Sequence, residues 1–179
     1  LCVFLVLGVL AVCASILYTN GKIPYGYIGL GDFFVFVFFG IVGVLGTFFL
    51  QAKVLPLDLI FPAASCGLLT VAVLNINNIR DIDSDQLAGK FSIPVRLGSK
   101  RARVYHIALL IISLVLAVIY VLLNFNNFTQ FIFILILPML IYNAKAILTK
   151  PKEELDPLLK QMAISNLLFV LLFGISLLI

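Results

Sequence analysis

Charge is what this chain has least of. Only 11% of its 179 residues are Asp, Glu, Lys or Arg, against 63% hydrophobic, a balance that excludes an ordinary soluble domain and places the chain in the membrane class. Cysteine is scarce too. Cys2, Cys13 and Cys66 each lie in an apolar run without a CxxC spacing, so neither a disulfide framework nor a zinc site is indicated, and they are expected to be packing residues. The single histidine, His106, has no second histidine or nearby cysteine to complete a metal set and is expected as an interfacial polar side chain. The net charge of +4 does not point to nucleic acid, because long apolar runs interrupt the bases and no continuous basic stripe forms. The first segment also lacks the charged start and small-residue cleavage site of a signal peptide. It begins with Leu1, and a longer N-terminus is the expectation.

What the chain has in quantity is apolar length. A bilayer-spanning helix needs about 20 largely apolar residues. Six such stretches occur, at 1–18, 32–50, 57–79, 104–123, 128–148 and 160–179. The fold class read from them is all-α, a polytopic membrane helical bundle forming one domain over 1–179. The loops 19–31, 80–103 and 145–160 fall on one face and carry every base except Lys53. The positive-inside rule makes those loops cytoplasmic and puts both ends of the chain outside.

The first of these loops, Tyr18 to Asp32, is rich in glycine and tyrosine and reads as turns. Its tyrosines suit either a headgroup-level aromatic belt or a ring-stacking lid over a neighbouring site. Gly40, Gly43 and Gly46 bare one face of the second span for close helix packing. Pro56 and Pro62 fall at the start of the third, where a missing amide is tolerated.

At the cytoplasmic end of the third span the composition changes abruptly. Asn75, Asn77 and Asn78 are followed by Arg80, Asp81, Asp83 and Asp85, then by Lys90, Arg96, Lys100, Arg101 and Arg103. Continued as a helix at 100° per residue, Asn77, Asp81 and Asp85 share one stripe with Asn78 alongside. Asp83 points nearly the opposite way, and Arg80 projects roughly 100° from Asp81. Two carboxylates on one face repel unless a positive group lies between them. Two occupants fit: a divalent cation, Mg²⁺ being suited to oxygen ligands shared with phosphates, or the bases Arg80 and Lys90 themselves at a solvated helix end. Gly89 fits a helix C-cap, and Pro94 with Gly98 predicts an irregular connection before a helix that begins near Ser99. Lys90 and Arg96, carried close to the acids, are then placed to clamp a diphosphate. The segment from Thr149 to Gln161 reads as a solvated connection outside any site.

With these residues in place, the chain resembles the UbiA superfamily of membrane prenyltransferases, and within it the 1,4-dihydroxy-2-naphthoate polyprenyltransferases of menaquinone synthesis. The run Asn77-Asn78-Ile79-Arg80-Asp81-Ile82-Asp83-Ser84-Asp85, followed by LAGK and IPVRLG, is similar to the second aspartate-rich motif of that group. Pro24 to Asp32, PYGYIGLGD, is similar to its preceding loop. The resemblance implies a nine-helix fold of which these spans are helices four to nine, the C-terminal two-thirds, in a bacterial inner membrane. It also implies a Mg²⁺-dependent transfer from a polyprenyl diphosphate to 1,4-dihydroxy-2-naphthoate with decarboxylation, giving a demethylmenaquinol. Asp81 and Asp85 would be the catalytic metal ligands, Asn77 and Asn78 their support, and Lys90, Arg96 and, less directly, Arg80 the diphosphate clamps. Lys22, Tyr25 and Tyr27 would border the acceptor. No counterpart of the family's first aspartate-rich motif occurs in the chain, which on its own is therefore expected to be inactive. A sister reaction on 4-hydroxybenzoate is the alternative within the family. Outside it, a channel or transporter would need polar residues at mid-membrane on several spans, and the span interiors offer almost none.

Overall fold

Apolar length sets the architecture. The computed structural model describes residues 2–21 and 24–178, and no strand forms among them. Helix α1 spans Cys2–Thr19, α2 Gly31–Ala52 and α3 Leu57–Arg80. Two short helices follow, α4 over Ile82–Leu87 and α5 over Ile93–Leu97. The chain then continues through α6 (Ser99–Leu123), α7 (Phe128–Thr149) and α8 (Asp156–Ser176). Helices α2, α3, α6, α7 and α8 are each long and apolar enough to cross a bilayer, and Phe4–Thr19 is a shorter apolar helix. The six expected spans are matched by six helices of a polytopic membrane bundle. Large apolar side chains such as Leu122 and Leu135 remain exposed on its outside, where lipid is their natural solvent.

Helix α3 is the central element and packs against α2, α6 and α8. Its small and branched residues Ala63, Leu69, Val71, Ala72, Ile76 and Ile79 are all buried, which lets three neighbours approach at once. The closest approach is at Gly40, where a Cβ would lie 2.6 Å from Gly67 Cα and 2.7 Å from Ala63 O. Of the three expected packing glycines, only Gly40 meets another helix's backbone. Gly43 has only Phe38 O of its own helix within 4 Å, and Gly46 faces the Phe4 ring. Gly67, the partner, carries no periodic signal. The α2 backbone widens into a π-helix over Phe36–Val42, around this contact.

Three expectations need correction. Ile93–Leu97 is a helical turn, not irregular chain, because Pro94 occupies its first turn, where the ring is tolerated. His106 is not interfacial but fully buried, its Nε2 2.8 Å from Asn143 Oδ1. Asn143 Nδ2 donates to Gln161 Oε1, and Gln161 Nε2 donates to Met139 O at 2.9 Å and to Ser165 Oγ at 3.0 Å. The span interiors are accordingly more polar than expected. Besides this network, Ser65 Oγ donates to Ser113 O at 2.9 Å and Asn166 Nδ2 to Thr70 Oγ1 at 3.1 Å. These groups are spent on one another across helix contacts, as polar residues within a bilayer must be.

The charged loops gather at one end. Phe91 N donates to Tyr27 O at 2.7 Å, Arg80 pairs with Asp156, and Lys152 pairs with Asp83. At the other end Asn124 Nδ2 donates to Asp58 Oδ2 at 2.6 Å. This is the arrangement that the parity of six spans requires.

Candidate active site

The candidate site begins where α3 stops. Asp81 caps α3 with φ −93° and ψ 13°, and α4 starts at the next residue. Yet Asp81 N bonds to Asn77 O at 3.1 Å and Asp85 N to Asp81 O at 2.8 Å, so the four-residue rhythm runs through the joint. Asn77, Asp81 and Asp85 therefore stay on one side, with Asn77 Nδ2 3.4 Å from Asp81 Oδ2. The side chain of Asp85 is 12% exposed and that of Asp83 71%, which puts Asp85 inside the cluster and leaves Asp83 outside, on Lys152. Asn75 turns away altogether and donates to Ala102 O of α6 at 3.2 Å.

Both carboxylates are paired with bases. Arg80 Nε lies 2.7 Å from Asp81 Oδ1 and Nη2 2.8 Å from Oδ2, and the same Nη2 reaches Asn77 Oδ1 at 2.9 Å. Its third nitrogen pairs with Asp156. An unbroken helix would have carried Arg80 about 100° away from Asp81; the break at Asp81 lets neighbours in sequence form a two-pronged pair. These hydrogen bonds hold the Asp81 carboxyl below the usual carboxylate range, against a partial burial that acts the other way.

Lys90 closes the second half. Its Nζ is 2.9 Å from Asp85 Oδ2 and 3.5 Å from Asn78 Oδ1. The contact with Asp85 is ionic rather than a directed hydrogen bond, so this buried oxygen keeps acceptor capacity. The lysine backbone is fixed by Lys90 N to Asp85 O at 2.8 Å, just after α4 ends ahead of Gly89.

The donor set facing this cluster, two carboxylates and two amides, is all oxygen and suits a hard divalent cation. Among the described residues no three His, Cys, Asp or Glu side chains converge as a metal group. A cation here would thus take one or two carboxylates and complete its shell with amide, water or phosphate oxygens, as Mg²⁺ does.

One apolar space reaches the cluster at Asn77, and a second borders the first. The first, of about 580 Å³, runs between α3 and α8 with Asn77, Asp156 and Lys160 at its polar end and Thr70, Leu74 and Ala163 along it. The other, of about 610 Å³, is walled by Tyr18, Tyr25, Phe34 and Phe38. Val35, Phe39 and Leu74 border both. Tyr25 is held in the second by stacking on Phe34, with ring centroids 4.1 Å apart.

Of the residues expected at a site, Asn77, Asn78, Arg80, Asp81, Asp85 and Lys90 come together. Tyr25 lines the aromatic cavity, and Tyr27 contributes its carbonyl to Phe91. Arg96 instead places its guanidinium on two backbone carbonyls, those of Phe91 and Ile28. Lys22 lies outside the described residues. The 149–161 segment, expected to be plain solvated chain, is a correction: Asp156 and Lys152 dock it onto Arg80 and Asp83. Asp156 lies in the first turn of α8, where an acid already suits the helix dipole, so its position in the sequence does not point to Arg80.

The model of the UbiA prenyltransferase family matches residues 2–175. A 1,4-dihydroxy-2-naphthoate octaprenyltransferase of Haemophilus influenzae is 44% identical over 174 residues, covering 97% of this chain and 56% of that protein. One of the same description from Escherichia coli is 46% identical over 177 residues, covering 94% and 56%. One from Mycobacterium tuberculosis is 43% identical over 109 residues, covering 61% and 37%. The chain thus spans a little over half the length of the first two relatives. No solved structure matches it.

Proposed function

The chain belongs to the UbiA prenyltransferase family, and from that premise we propose that it forms the second acidic cluster of a 1,4-dihydroxy-2-naphthoate polyprenyltransferase. The reaction would transfer a polyprenyl group from its diphosphate to the naphthoate ring, with loss of the carboxyl group, giving demethylmenaquinol for menaquinone synthesis. The observation that carries this reading is the position of the cluster: Asp81, Asp85, Asn77 and Asn78 interlocked with Arg80 and Lys90 at the polar end of an apolar groove.

In this reading the isoprenoid tail lies along the α3–α8 groove and its diphosphate reaches the cluster. The allylic C–O bond breaks, the diphosphate keeps the electron pair, and the ring carbon bonds to the resulting cation while the ring loses carbon dioxide. Lys90 and Arg80 exchange their carboxylate partners for the diphosphate oxygens, where fixed cations stabilise the growing charge. Asp81 and Asp85, released from those bases, would hold Mg²⁺ with Asn77 and Asn78 in support. Bound there, the ion would neutralise the diphosphate and favour its departure. The ring acceptor would occupy the aromatic cavity beside Tyr25, one wall away from the tail, with Tyr27 in the same turn. The apolar surroundings keep water from the cation.

The proposed setting is a bacterial inner membrane, which the bacterial relatives support, and the proposed sidedness, charged loops cytoplasmic, follows the positive-inside rule. Because the chain alone is expected to be inactive, the test is incubation of membranes containing the full-length protein with labelled polyprenyl diphosphate, Mg²⁺ and a panel of aromatic acids. Demethylmenaquinol from 1,4-dihydroxy-2-naphthoate is the expected product. Product from 4-hydroxybenzoate instead would move the protein to the sister reaction, and no product with any ring would contradict the reading.

A further inference from the structure

Arg96 belongs to the basic set that the sequence assigns to a diphosphate, yet its guanidinium is given to backbone. Nε donates to Phe91 O at 3.0 Å and Nη2 to Ile28 O at 2.8 Å. The two carbonyls lie in different loops. Ile28 is in the turn Tyr25–Gly29, whose Tyr25 lines the aromatic cavity; Phe91 directly follows Lys90. A third bond, Phe91 N to Tyr27 O at 2.7 Å, joins the same two loops. Gly29 completes the contact: its φ is +80°, and a Cβ there would stand 2.8 Å from Phe91 O and 3.0 Å from Arg96 Nε. Only glycine permits both the backbone conformation and the approach.

We propose that Arg96 is a positioning residue that straps the Tyr25–Gly29 turn to the loop carrying Lys90, and so sets the acceptor's wall against the cation that meets the diphosphate. The inference rests on the proposed prenyl-transfer reading of the site. The far side of the turn is already anchored, by Tyr25 stacked on Phe34 and edge-on to Tyr18 at 5.4 Å, and by Tyr25 N on Leu17 O and Gly26 N on Tyr18 O, both at 3.2 Å. Its near side depends on Arg96 and Phe91. Two substrates held by different loops react well only when the loops hold a fixed mutual position. A planar guanidinium reaches two carbonyls at once; a single ammonium does not reproduce that fork.

The test compares Arg96→Lys, Arg96→Gln and Gly29→Ala with the parent, all as full-length protein in membranes, measuring KM separately for the aromatic acceptor and the prenyl diphosphate. Chymotrypsin cleavage at Tyr25 and Tyr27 is followed in the same samples. Because the fork rather than the charge matters, Arg96→Lys should behave like Arg96→Gln. Each should raise the acceptor KM by about tenfold and leave the diphosphate KM within about twofold. Gly29→Ala should reproduce this, and all three should be cut faster at the turn. A simple cation clamp predicts the reverse pattern: Arg96→Lys near the parent and Arg96→Gln raising the diphosphate KM. That outcome, or unchanged cleavage, overturns the strap. Should the parent transfer a prenyl group to no ring at all, the proposed function falls, while the cleavage rates still decide the strap.

Discussion

At the residue scale, the site is a set of carboxylates waiting on bases. Arg80 holds the Asp81 carboxyl low through directed hydrogen bonds, so their pairing stabilises the folded protein above the ordinary aspartate range. That contribution disappears as pH falls through the lowered value, below the ordinary 3.8. Arg80→Gln should therefore unfold more easily than the parent at pH 7, and the difference should shrink to nothing in strongly acid buffer, as thermal unfolding in detergent can show. The stripe of Asn77, Asp81 and Asp85 was legible in the sequence because a four-residue spacing survives the break between two helices. Pairing of the acids with Arg80 and Lys90 was one of the two occupants the sequence offered; the two-pronged geometry of Arg80 on Asp81 was not legible, since it depends on where the helix ends. Asp156 was hidden for a different reason: an acid at the start of a helix has a local explanation, and only the fold brings it to Arg80.

At the scale of elements, two contacts decide how the helices stand. Gly40→Ala would put a methyl against Gly67 and Ala63 backbone, which cannot yield as a side chain can. The expected cost is about 1–3 kcal/mol, readable as earlier thermal aggregation. Gly46→Ala, facing only the Phe4 ring at 3.6 Å, serves as the near-neutral control. The second contact is polar. Asn143→Leu strands His106 Nε2 and Gln161 Oε1 between α6, α7 and α8, at a cost of roughly 1–2 kcal/mol, while Tyr142→Leu on the exposed face of α7 should cost little. Hydropathy located all these helices, because length and apolarity suffice for that. It could not say that His106 faces inward: one polar residue near a span end reads the same whether it meets headgroups or a neighbouring helix.

At the scale of the whole molecule, one end of the bundle collects the turn Tyr25–Gly29, the acid cluster, the Lys90 loop and the docked 149–156 segment. The other end has Lys53, Asp58 and Asn124. The charge count alone anticipated this division. If the charged end is cytoplasmic, a cysteine at Lys100 should be silent to an impermeant reagent in intact cells and one at Asn126 should react; the opposite pattern would invert the topology. The most direct measurement of the central claim compares two substitutions two residues apart in the full-length protein, Asp81→Asn and Asp83→Asn, by demethylmenaquinol formation in membranes that lack their own enzyme. The account predicts that Asp81→Asn loses about two orders of magnitude or more, as removal of a charge from the reacting cluster should, while Asp83→Asn, whose carboxylate faces solvent and Lys152, stays within a few-fold of the parent with both proteins equally inserted. Loss of activity in Asp83→Asn with Asp81→Asn nearly intact would contradict it.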